Sequence, residues 1–255
     1  MKVSVITVCY NAVAQIDETI RSVMVQDHVD IEHIVIDGGS TDGTQDKIER
    51  YSECIAHYVS EKDDGVYDAM NKGLRLATGE VVAFVNAGDM MATRNTVSYM
   101  VRAFEEGDFD VIYGDALMVD PDDITQVKRF WKGGEYDREN FRKGWMPPHL
   151  GTYIRRSAYD RFGLFNTELE VSADYELMFR FLYKHRLRAR YVPKVLVRFR
   201  LGGVSNRSLA HIWRANVEVY RAWKLNGEAV SPLIILRKPL AKVMQMIRRG
   251  PEPQG

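Results

Sequence analysis

The sequence predicts an α/β fold with a mostly parallel central sheet and helices on both faces. Two observations support this prediction. Over the first 120 residues, short β-branched runs alternate with segments whose apolar residues recur at helical spacing, and such alternation produces parallel strands. Polar residues also follow each of the first four runs. Because ligands of these sheets bind beyond the carboxyl ends of the strands, one sheet edge is expected to bind a ligand.

The individual elements follow from the same patterns, with Asn11 as the expected N-cap of the first helix. Strands are predicted at Val3–Cys9, Ile31–Ile36, His57–Ser60, Val81–Val85, Asp110–Tyr113, Ile124–Trp131, Thr152–Ile154 and Tyr191–Phe199. Helices are predicted around Ile16–Met24, before Glu53, and at Tyr67–Ala77, Thr93–Glu106, Ala173–His185 and Leu209–Leu225.

The pattern changes near residue 120, which divides the chain without requiring two separate domains. Residues 1–120 are expected to form the ligand-binding half, and residues 121–206 a second, smaller subregion of the same domain. Residues 207–249 are expected to form a C-terminal helical extension that is basic and amphipathic. Residues 250–255 are expected to be a disordered tail.

Charge is unevenly distributed although the formal net charge is zero. Residues 1–123 contain 9 Lys/Arg and 24 Asp/Glu, whereas residues 124–255 contain 26 and 11. An acidic half suits a metal cation, and a basic half suits phosphates or an anionic membrane. The segment 232–249 carries five Lys/Arg and no acid among apolar residues. It is either an ordinary amphipathic helix packed on the domain or a contact with an anionic membrane surface.

Composition also excludes several classes of protein. The two cysteines, Cys9 and Cys54, form no disulfide framework, which fits a reducing cytosol. No signal peptide is expected in the opening MKVSVITVCYN, and no apolar run approaches the roughly 18 residues of a membrane span. The chain also lacks G-x-G-x-x-G after the first strand and lacks a P-loop. A cytoplasmic protein, soluble or peripheral on the inner face of the cell membrane, is expected.

Two aspartates at strand ends allow both a structural and a functional interpretation. Asp37 precedes two glycines, so it is either an Asp-Gly turn or an acceptor for a ribose hydroxyl or a nucleobase N–H. Ser40 and Asp42 add polar groups at the same edge and favour function. Asp89 ends the run FVNAGD, where it is either a turn residue or one carboxylate of a metal site.

The remaining candidates lie at helix starts and in a proline-flanked loop. Asp68, Asn71 and Lys72 share one helix face, although Asp68 is equally a first-turn acid that favours the positive helix end. Asp174 opens the helix of residues 173–185 as a cap or as a general base. His149 follows two prolines and is a metal ligand, a phosphate contact or an ordinary loop histidine.

Several motifs, taken in order, resemble glycosyltransferase family 2, whose fold is GT-A. They are VSVITVCYN, VIDGGSTDGT, SEKDDGVYDAMNKGLRLATGEVVAFVNAGD, HLGTYIRR, SADYELMFR and GGVSN, and together they span about residues 1–206. The most similar branch makes bacterial exopolysaccharides and lipid-linked glycans, including colanic-acid-type enzymes. DGGSTDGT and DGVYDAMNKG are the most specific of these motifs.

The resemblance implies a role for each candidate. It makes residues 1–120 the nucleotide-sugar-binding half and residues 121–206 the acceptor-side half, which carries the catalytic base Asp174. It gives Asp89 as the metal carboxylate, with His149 as a further candidate ligand. The implied nucleotide-sugar residues are Thr7, Asn11, Asp37, Asp63, Asn71, Lys72 and Asn86.

The implied reaction is inverting transfer, of hexosyltransferase type, from a nucleoside-diphosphate sugar to a hydroxyl of a glycan or polyprenyl-linked acceptor. Mg²⁺ or Mn²⁺ is the implied cofactor, and no nucleic-acid partner is expected. The usual paired metal carboxylates are reduced to Ala87-Gly88-Asp89, so the metal should bind well only with the donor present. Ala173 replaces an acidic residue of the family pattern, leaving Asp174 as the base in that segment.

Two alternatives compete with this interpretation. A non-catalytic nucleotide-sugar-binding protein would fit the reduced metal and base motifs. A sugar-1-phosphate nucleotidyltransferase would also use a parallel sheet and a metal, but it normally requires a glycine-rich basic loop after the first strand. Cys9-Tyr10-Asn11-Ala12 does not supply that loop.

Overall fold

The computed structural model describes residues 1–202 and 209–231, with side chains of the last helix from residue 213. The predicted membrane-contacting segment 232–249 and the predicted tail 250–255 lie outside the described residues. The strands are β1 Val3–Cys9, β2 Ile31–Asp37, β3 His57–Ser60, β4 Val81–Phe84, β5 Met90–Met91, β6 Val111–Val119, β7 Val127–Trp131, β8 Thr152–Arg155 and β9 Ala189–Arg200. The α-helices are α1 Ile16–Met24, α2 Thr44–Glu49, α3 Val66–Leu76, α4 Thr96–Glu105, α5 Arg156–Phe162, α6 Ala173–Met178 and α7 Leu209–Leu225.

The strands form one sheet with the order β3-β2-β1-β4-β8-β6-β9-β5, and β7 pairs with β6. The first four strands of this order are parallel, with Cys9 beside Asp37 and Asp37 beside Ser60. Their carboxyl ends therefore meet at one edge, as the sequence predicts. In the other part of the sheet, β8 runs antiparallel to both β4 and β6, and β9 runs parallel to β6.

Side chains alternate along the strands, so each face of the sheet presents apolar side chains that a layer of helices covers. From β1, Val3 and Val5 join the apolar cluster that contains α4, whereas Ile6 and Val8 join the cluster that contains α3. Helix α3 approaches β1 closely at Gly73, where an added Cβ would lie 2.5 Å from Cγ2 of Ile6. The prediction of an α/β fold with two covered faces is confirmed.

Several predicted boundaries are wrong in detail. Asn11 has a φ of 47°, and the first helix begins only at Ile16, so Asn11 belongs to a left-handed turn rather than to an N-cap. Strand β6 extends to Val119, well beyond the predicted end at Tyr113, and all nine of its residues are buried. Helix α5 and the two-residue strand β5 were not predicted.

The second half of the chain supplies a helical layer that packs beside α3. Helix α6 continues directly into a π-helical segment, Phe179–Lys184, so the predicted single helix 173–185 changes geometry partway. Helix α7 has the predicted bounds, and its Trp223 is fully buried against Phe179 and Tyr183. Among the described helices, none combines the length and the apolar character needed to cross a bilayer.

Candidate active site

The carboxylate of Asp37 is the centre of the strand-end edge. It is fully buried, and Oδ2 accepts from the backbone N–H of Ser40 at 2.9 Å and from the Ser60 hydroxyl at 2.6 Å. The other oxygen, Oδ1, accepts from the Ser40 hydroxyl and from the Cys9 thiol. Asp37 therefore joins the ends of β1, β2 and β3, and it presents the Ser40 turn at the edge.

The loop after β1 is bonded to the loop after β2. The backbone N–H of Asn11 donates to the Ser40 hydroxyl at 2.7 Å, and Oδ1 of Asn11 accepts from the backbone N–H of Thr41 at 3.0 Å. Asp42 accepts from the backbone N–H of Val13 at 3.0 Å. These reciprocal bonds account for the left-handed backbone of Asn11, because that conformation turns the loop toward its neighbour.

Thr7 has a different environment from the other strand-end candidates. It is fully buried two residues inside β1, and its hydroxyl lies 3.0 Å from Nε2 of His33 on β2. Burial lowers the pKa of His33 to about 4, so this pair is neutral near neutral pH. The Thr7 side chain is thus engaged inside the sheet.

Asp63 and Lys72 form the polar group that follows β3. Asp63 Oδ1 accepts from Nζ of Lys72 at 2.6 Å, and Glu61 and Asp68 lie 2.8 and 3.5 Å from the same ammonium. Burial alone would lower the pKa of Lys72, but the bonds to Asp63 and Glu61 raise it above its ordinary value. The cation is therefore permanent and is shared among three carboxylates.

Asp63 also lies against the end of β2. An added Cβ at Gly38 would approach Oδ2 of Asp63 to 2.9 Å, so the glycine leaves room for this carboxylate. Burial raises the pKa of Asp63, and the bond from Lys72 opposes that effect. The structure thus brings Asn11, Asp37 and Asp63 to adjoining strand ends, as the sequence predicts, and Lys72 reaches Asp63 from α3.

Asn71 has a clear structural partner. Its Nδ2 donates to the carbonyl of Phe165 and its Oδ1 accepts from the backbone N–H of Phe165, both at 2.9 Å. The side chain is 6% exposed. Asn71 therefore attaches α3 to the loop that leads to Asp174.

Asp174 lies at the start of α6, half-buried and facing α3. Its Oδ1 accepts from the backbone N–H of Tyr175 at 2.7 Å and from the hydroxyl of Tyr67 at 3.3 Å. The neighbouring Ala173 is fully buried, which an acidic side chain at that position would not tolerate without a partner. Asp174 is therefore the acid beside Ala173 that stays partly exposed.

The loop before Asp174 is held from outside by α7. Oε1 of Glu218 accepts from the backbone N–H of Glu170 at 3.2 Å, and Oε2 accepts from Val171 and Ser172 at 2.9 and 2.8 Å. Glu218 is 4% exposed. Its carboxylate thus satisfies three consecutive backbone donors immediately before α6.

Asp89 ends the turn after β4 in a buried position. Its Oδ1 accepts from the backbone N–H of Arg200 at 3.1 Å. Burial raises the pKa of Asp89 to about 8, against the opposing effects of that bond and of the Arg200 charge. The Arg200 guanidinium is anchored by Glu18 of α1 and by the carbonyl of Pro121.

The residues around Asp89 fit a hard divalent cation only in part. Oδ1 of Asn86 is buried and lacks a hydrogen-bond partner within the described part of the chain, so the same turn offers a second oxygen ligand. Within residues 1–202 and 209–231, no group of three or more acidic, histidine or cysteine side chains is arranged so that it could hold a metal ion. A cation here would need oxygens from a bound substrate, in accordance with the sequence-based expectation.

His149 lies among aromatic rings near Asp174. Its ring stacks on Phe84 and meets Phe165 edge-on, each with centroids 5.4 Å apart. Burial lowers the pKa of His149, while the charge of Asp174 opposes that effect. Nε2 is buried without a hydrogen-bond partner among the described residues. His149 therefore lies near Asp174, and the described residues show no contact between His149 and Asp89.

Sequence reasoning missed three residues that support the site: Tyr67, Glu218 and Arg200. Tyr67 and Arg200 act across more than 100 residues of sequence and Glu218 across 46 to 48, so local spacing carried no signal for Glu218 or Arg200. Tyr67 lies within the motif DGVYDAMNKG, which is the signal that could have identified it.

Comparison with known proteins identifies the protein family to which the chain is similar. The chain matches the model of Glycosyl transferase family 2 over residues 4–163. It is 30% identical over 209 residues, 80% of this chain and 78% of the relative, to a PGL/p-HBAD biosynthesis glycosyltransferase of Mycobacterium bovis (strain BCG / Pasteur 1173P2). An uncharacterized glycosyltransferase of Mycobacterium tuberculosis (strain CDC 1551 / Oshkosh) is 29% identical over 181 residues, 70% of this chain and 68% of that protein.

Solved structures share the fold at lower identity. S. aureus TarS 1–349 in complex with UDP-GlcNAc gives a TM-score of 0.70 at 21% identity, over 94% of this chain and 72% of that one. Mannosyltransferase PcManGT from Pyrobaculum calidifontis, in complex with GDP-Man and Mn²⁺, gives 0.65 at 22% identity, over 96% and 69%. The chain spans 41% of the longer TarS chain.

The fold and the family match together define a glycosyltransferase of the GT-A type. This chain belongs to glycosyltransferase family 2. The predicted family and fold class are therefore confirmed.

Proposed function

We propose that this chain is an inverting glycosyltransferase, of hexosyltransferase type, with Asp174 as its general base. The observation that carries the proposal is the position of Asp174, which is half-buried at the start of a helix and bonded to α3. Helix α3 also carries Lys72, which is bonded to Asp63 at the strand-end edge. A nucleotide sugar bound at that edge would present its anomeric carbon toward α6.

The proposed chemistry is one displacement at the anomeric carbon. An acceptor hydroxyl forms the new C–O bond, and the bond to the β-phosphate oxygen of the donor breaks. Asp174 takes the hydroxyl proton, and the nucleoside diphosphate leaves with the bonding electrons. Attack on the face opposite the leaving group inverts the configuration. General-base assistance of this kind contributes typically about 10²- to 10⁴-fold.

Mg²⁺ or Mn²⁺ would be held by Asp89 and Asn86 together with the donor diphosphate. Bound there, the cation would supply positive charge that stabilises the leaving diphosphate. Because the protein offers few ligands of its own, we expect Mn²⁺ to bind weakly alone and at least about tenfold more tightly with UDP or GDP present. Isothermal titration of Mn²⁺ with and without each nucleotide measures this, and tight binding by the free protein would contradict it.

For the nucleotide, we propose that Asn11, Asp37 and Asp63 form the binding edge, together with the Ser40 turn. A thermal-shift screen of UDP-, GDP- and dTDP-sugars with Mn²⁺ identifies the donor, since ligand binding raises apparent stability with occupancy. TarS and PcManGT were solved with UDP-GlcNAc and GDP-Man, which makes these two donors the first to test.

The acceptor is proposed to be a hydroxyl of a glycan or of a polyprenyl-linked glycan. A cytoplasmic enzyme that attaches to the inner membrane face through residues 232–249 would meet such a lipid-linked acceptor, and five Lys/Arg without an acid support that attachment. Flotation with vesicles containing anionic lipid, with and without residues 232–255, tests it. Equal recovery of both forms would remove the membrane proposal and leave the enzymatic one intact.

Asp174→Asn distinguishes the enzyme from a non-catalytic nucleotide-sugar-binding protein. We expect loss of about 10³-fold in donor turnover, with donor affinity within about threefold of the original because Asn keeps the shape. Asp160→Asn, on an exposed face of α5, is the matched control. Unchanged turnover by Asp174→Asn would exclude Asp174 as the base.

A further inference from the structure

Tyr67 is the side chain that connects α3 to the proposed base. Its hydroxyl lies 2.9 Å from the carbonyl oxygen of Val171 and 3.3 Å from Oδ1 of Asp174. The side chain is 8% exposed, and its ring stacks on Phe165 with centroids 5.5 Å apart. The ring is therefore fixed, and its hydroxyl has two acceptors within reach.

The Tyr67 hydroxyl is a donor throughout the reaction. Burial, and next the charge of Asp174, raise the pKa of Tyr67 well above its ordinary value, so the phenol keeps its proton. One proton is available for two acceptors, and an ionised carboxylate is the stronger acceptor of the two. The bond to Oδ1 therefore strengthens when Asp174 is charged and weakens when Asp174 takes up a proton.

The described hydrogen bonds to Asp174 both end on Oδ1, from Tyr67 and from the backbone N–H of Tyr175. Oδ2 receives none of the described hydrogen bonds. Two other titratable groups lie nearby: His149, on the turn before β8, interacts with the charge of Asp174, and Glu218, on α7, interacts with Tyr67. Burial lowers the pKa of His149, and the Glu218 carboxylate accepts from three backbone N–H groups.

We propose that Tyr67 is a positioning residue that orients Asp174 and favours its ionised form, so that Oδ2 is the atom that receives the acceptor proton. This inference rests on the proposed role of Asp174. In the reaction, the acceptor O–H proton moves to Oδ2 while Tyr67 keeps its own proton and shifts its bond toward Val171.

The position of Tyr67 on α3 gives this arrangement a second consequence. The same helix bonds Phe165 through Asn71 and Asp63 through Lys72. One rigid element therefore carries contacts to the donor edge, to the base loop and to the base itself. Tyr67 therefore connects Asp174 to the helix that also contacts the edge.

Tyr67→Phe tests the proposal through the pH dependence of kcat/KM for the donor selected by the thermal-shift screen. Removing a hydrogen bond to a charged group is worth about one pH unit, so the acidic limb should move upward by about that amount. Below the limb this is a loss of about tenfold, and on the plateau the rate should stay within about threefold of the original.

Tyr159→Phe is the matched control. Tyr159 is buried in the same apolar cluster, and its hydroxyl lacks a hydrogen-bond partner among the described residues. Its pH profile should coincide with that of the original protein. Replacement of Tyr67 by a difluorotyrosine keeps the shape and makes a stronger donor, so it should move the acidic limb downward.

An acidic limb of Tyr67→Phe that coincides with the original would overturn the proposal, as would an unmoved limb in the difluorotyrosine protein. If Tyr67→Phe does not fold, the difluorotyrosine protein alone tests the proposal. Asp174→Asn is measured in parallel. If it turns over donor normally, the base assignment itself fails; if it is inactive and the limb does not move, only the role of Tyr67 fails.

Discussion

The strand-end edge and the loop before Asp174 are built in opposite ways. At the edge, Asp37, Asn11 and Ser40 bond mainly to one another across neighbouring loops. The loop before Asp174 instead depends on distant elements, with Asn71 of α3 bonded at Phe165 and Glu218 of α7 bonded at residues 170–172. The bonds of Asp37, Asn11 and Ser40 are thus confined to neighbouring strand ends, whereas the geometry around Asp174, the proposed base, depends on how two helices pack.

The largest expected effect comes from the edge, with Asp37→Ala. This change leaves the backbone N–H of Ser40 and the hydroxyl of Ser60 without their buried acceptor, and it should cost about 3 kcal/mol of unfolding free energy. Donor binding should disappear with the edge. Urea unfolding and thermal shift measure both effects, and Asp46→Ala on the exposed face of α2 is the control. A loss below about 1 kcal/mol would mean that the edge is not organised by Asp37.

Glu218→Gln tests the dependence of the base on α7. The amide keeps the shape but loses the charge that three N–H groups share, so we expect about 2 kcal/mol lower stability. If the loop moves, kcat should fall while donor affinity stays near the original. Glu168→Gln, at an exposed position of the same loop, is the control. An unchanged kcat together with lower stability would show that Glu218 supports the fold alone.

The smallest expected effect on stability is that of Asp89→Asn, and this effect depends on pH. Its folded pKa is raised to about 8 from an ordinary 3.8, so the folded state binds the extra proton and stability falls as pH rises between these values. From pH 5 to pH 7 the original protein should lose at least about 1 kcal/mol relative to Asp89→Asn. Urea unfolding of both proteins at the two pH values measures the difference. Parallel pH profiles would show that the Asp89 carboxylate is ionised in the folded protein.

The same contrast explains what the sequence could predict. Asp37 ends β2, Asp63 comes shortly after β3, and Asn86 and Asp89 come shortly after β4, so a local pattern was enough to place them at strand ends. Because β1 to β4 are parallel, these strand ends lie along one edge of the sheet.

The loop before Asp174 could not be predicted in this way. Glu218 lies on a helix whose bounds were predicted correctly, yet nothing in its spacing shows that it faces residues 170–172. Arg200 reaches Asp89 because β9 pairs with β5, and a two-residue strand leaves no periodic pattern. Asn11 was predicted as a cap because its bonding partners lie in another loop.

The stereochemistry of donor cleavage tests the central claim most directly. Proton NMR of the first-formed sugar, recorded before mutarotation with an α-linked nucleotide sugar as donor, reports the configuration at the anomeric carbon. We expect the β-configured product from the original protein and no product from Asp174→Asn on the same timescale. An α-configured first product, or β-product formed equally fast by Asp174→Asn, would contradict inverting catalysis by Asp174.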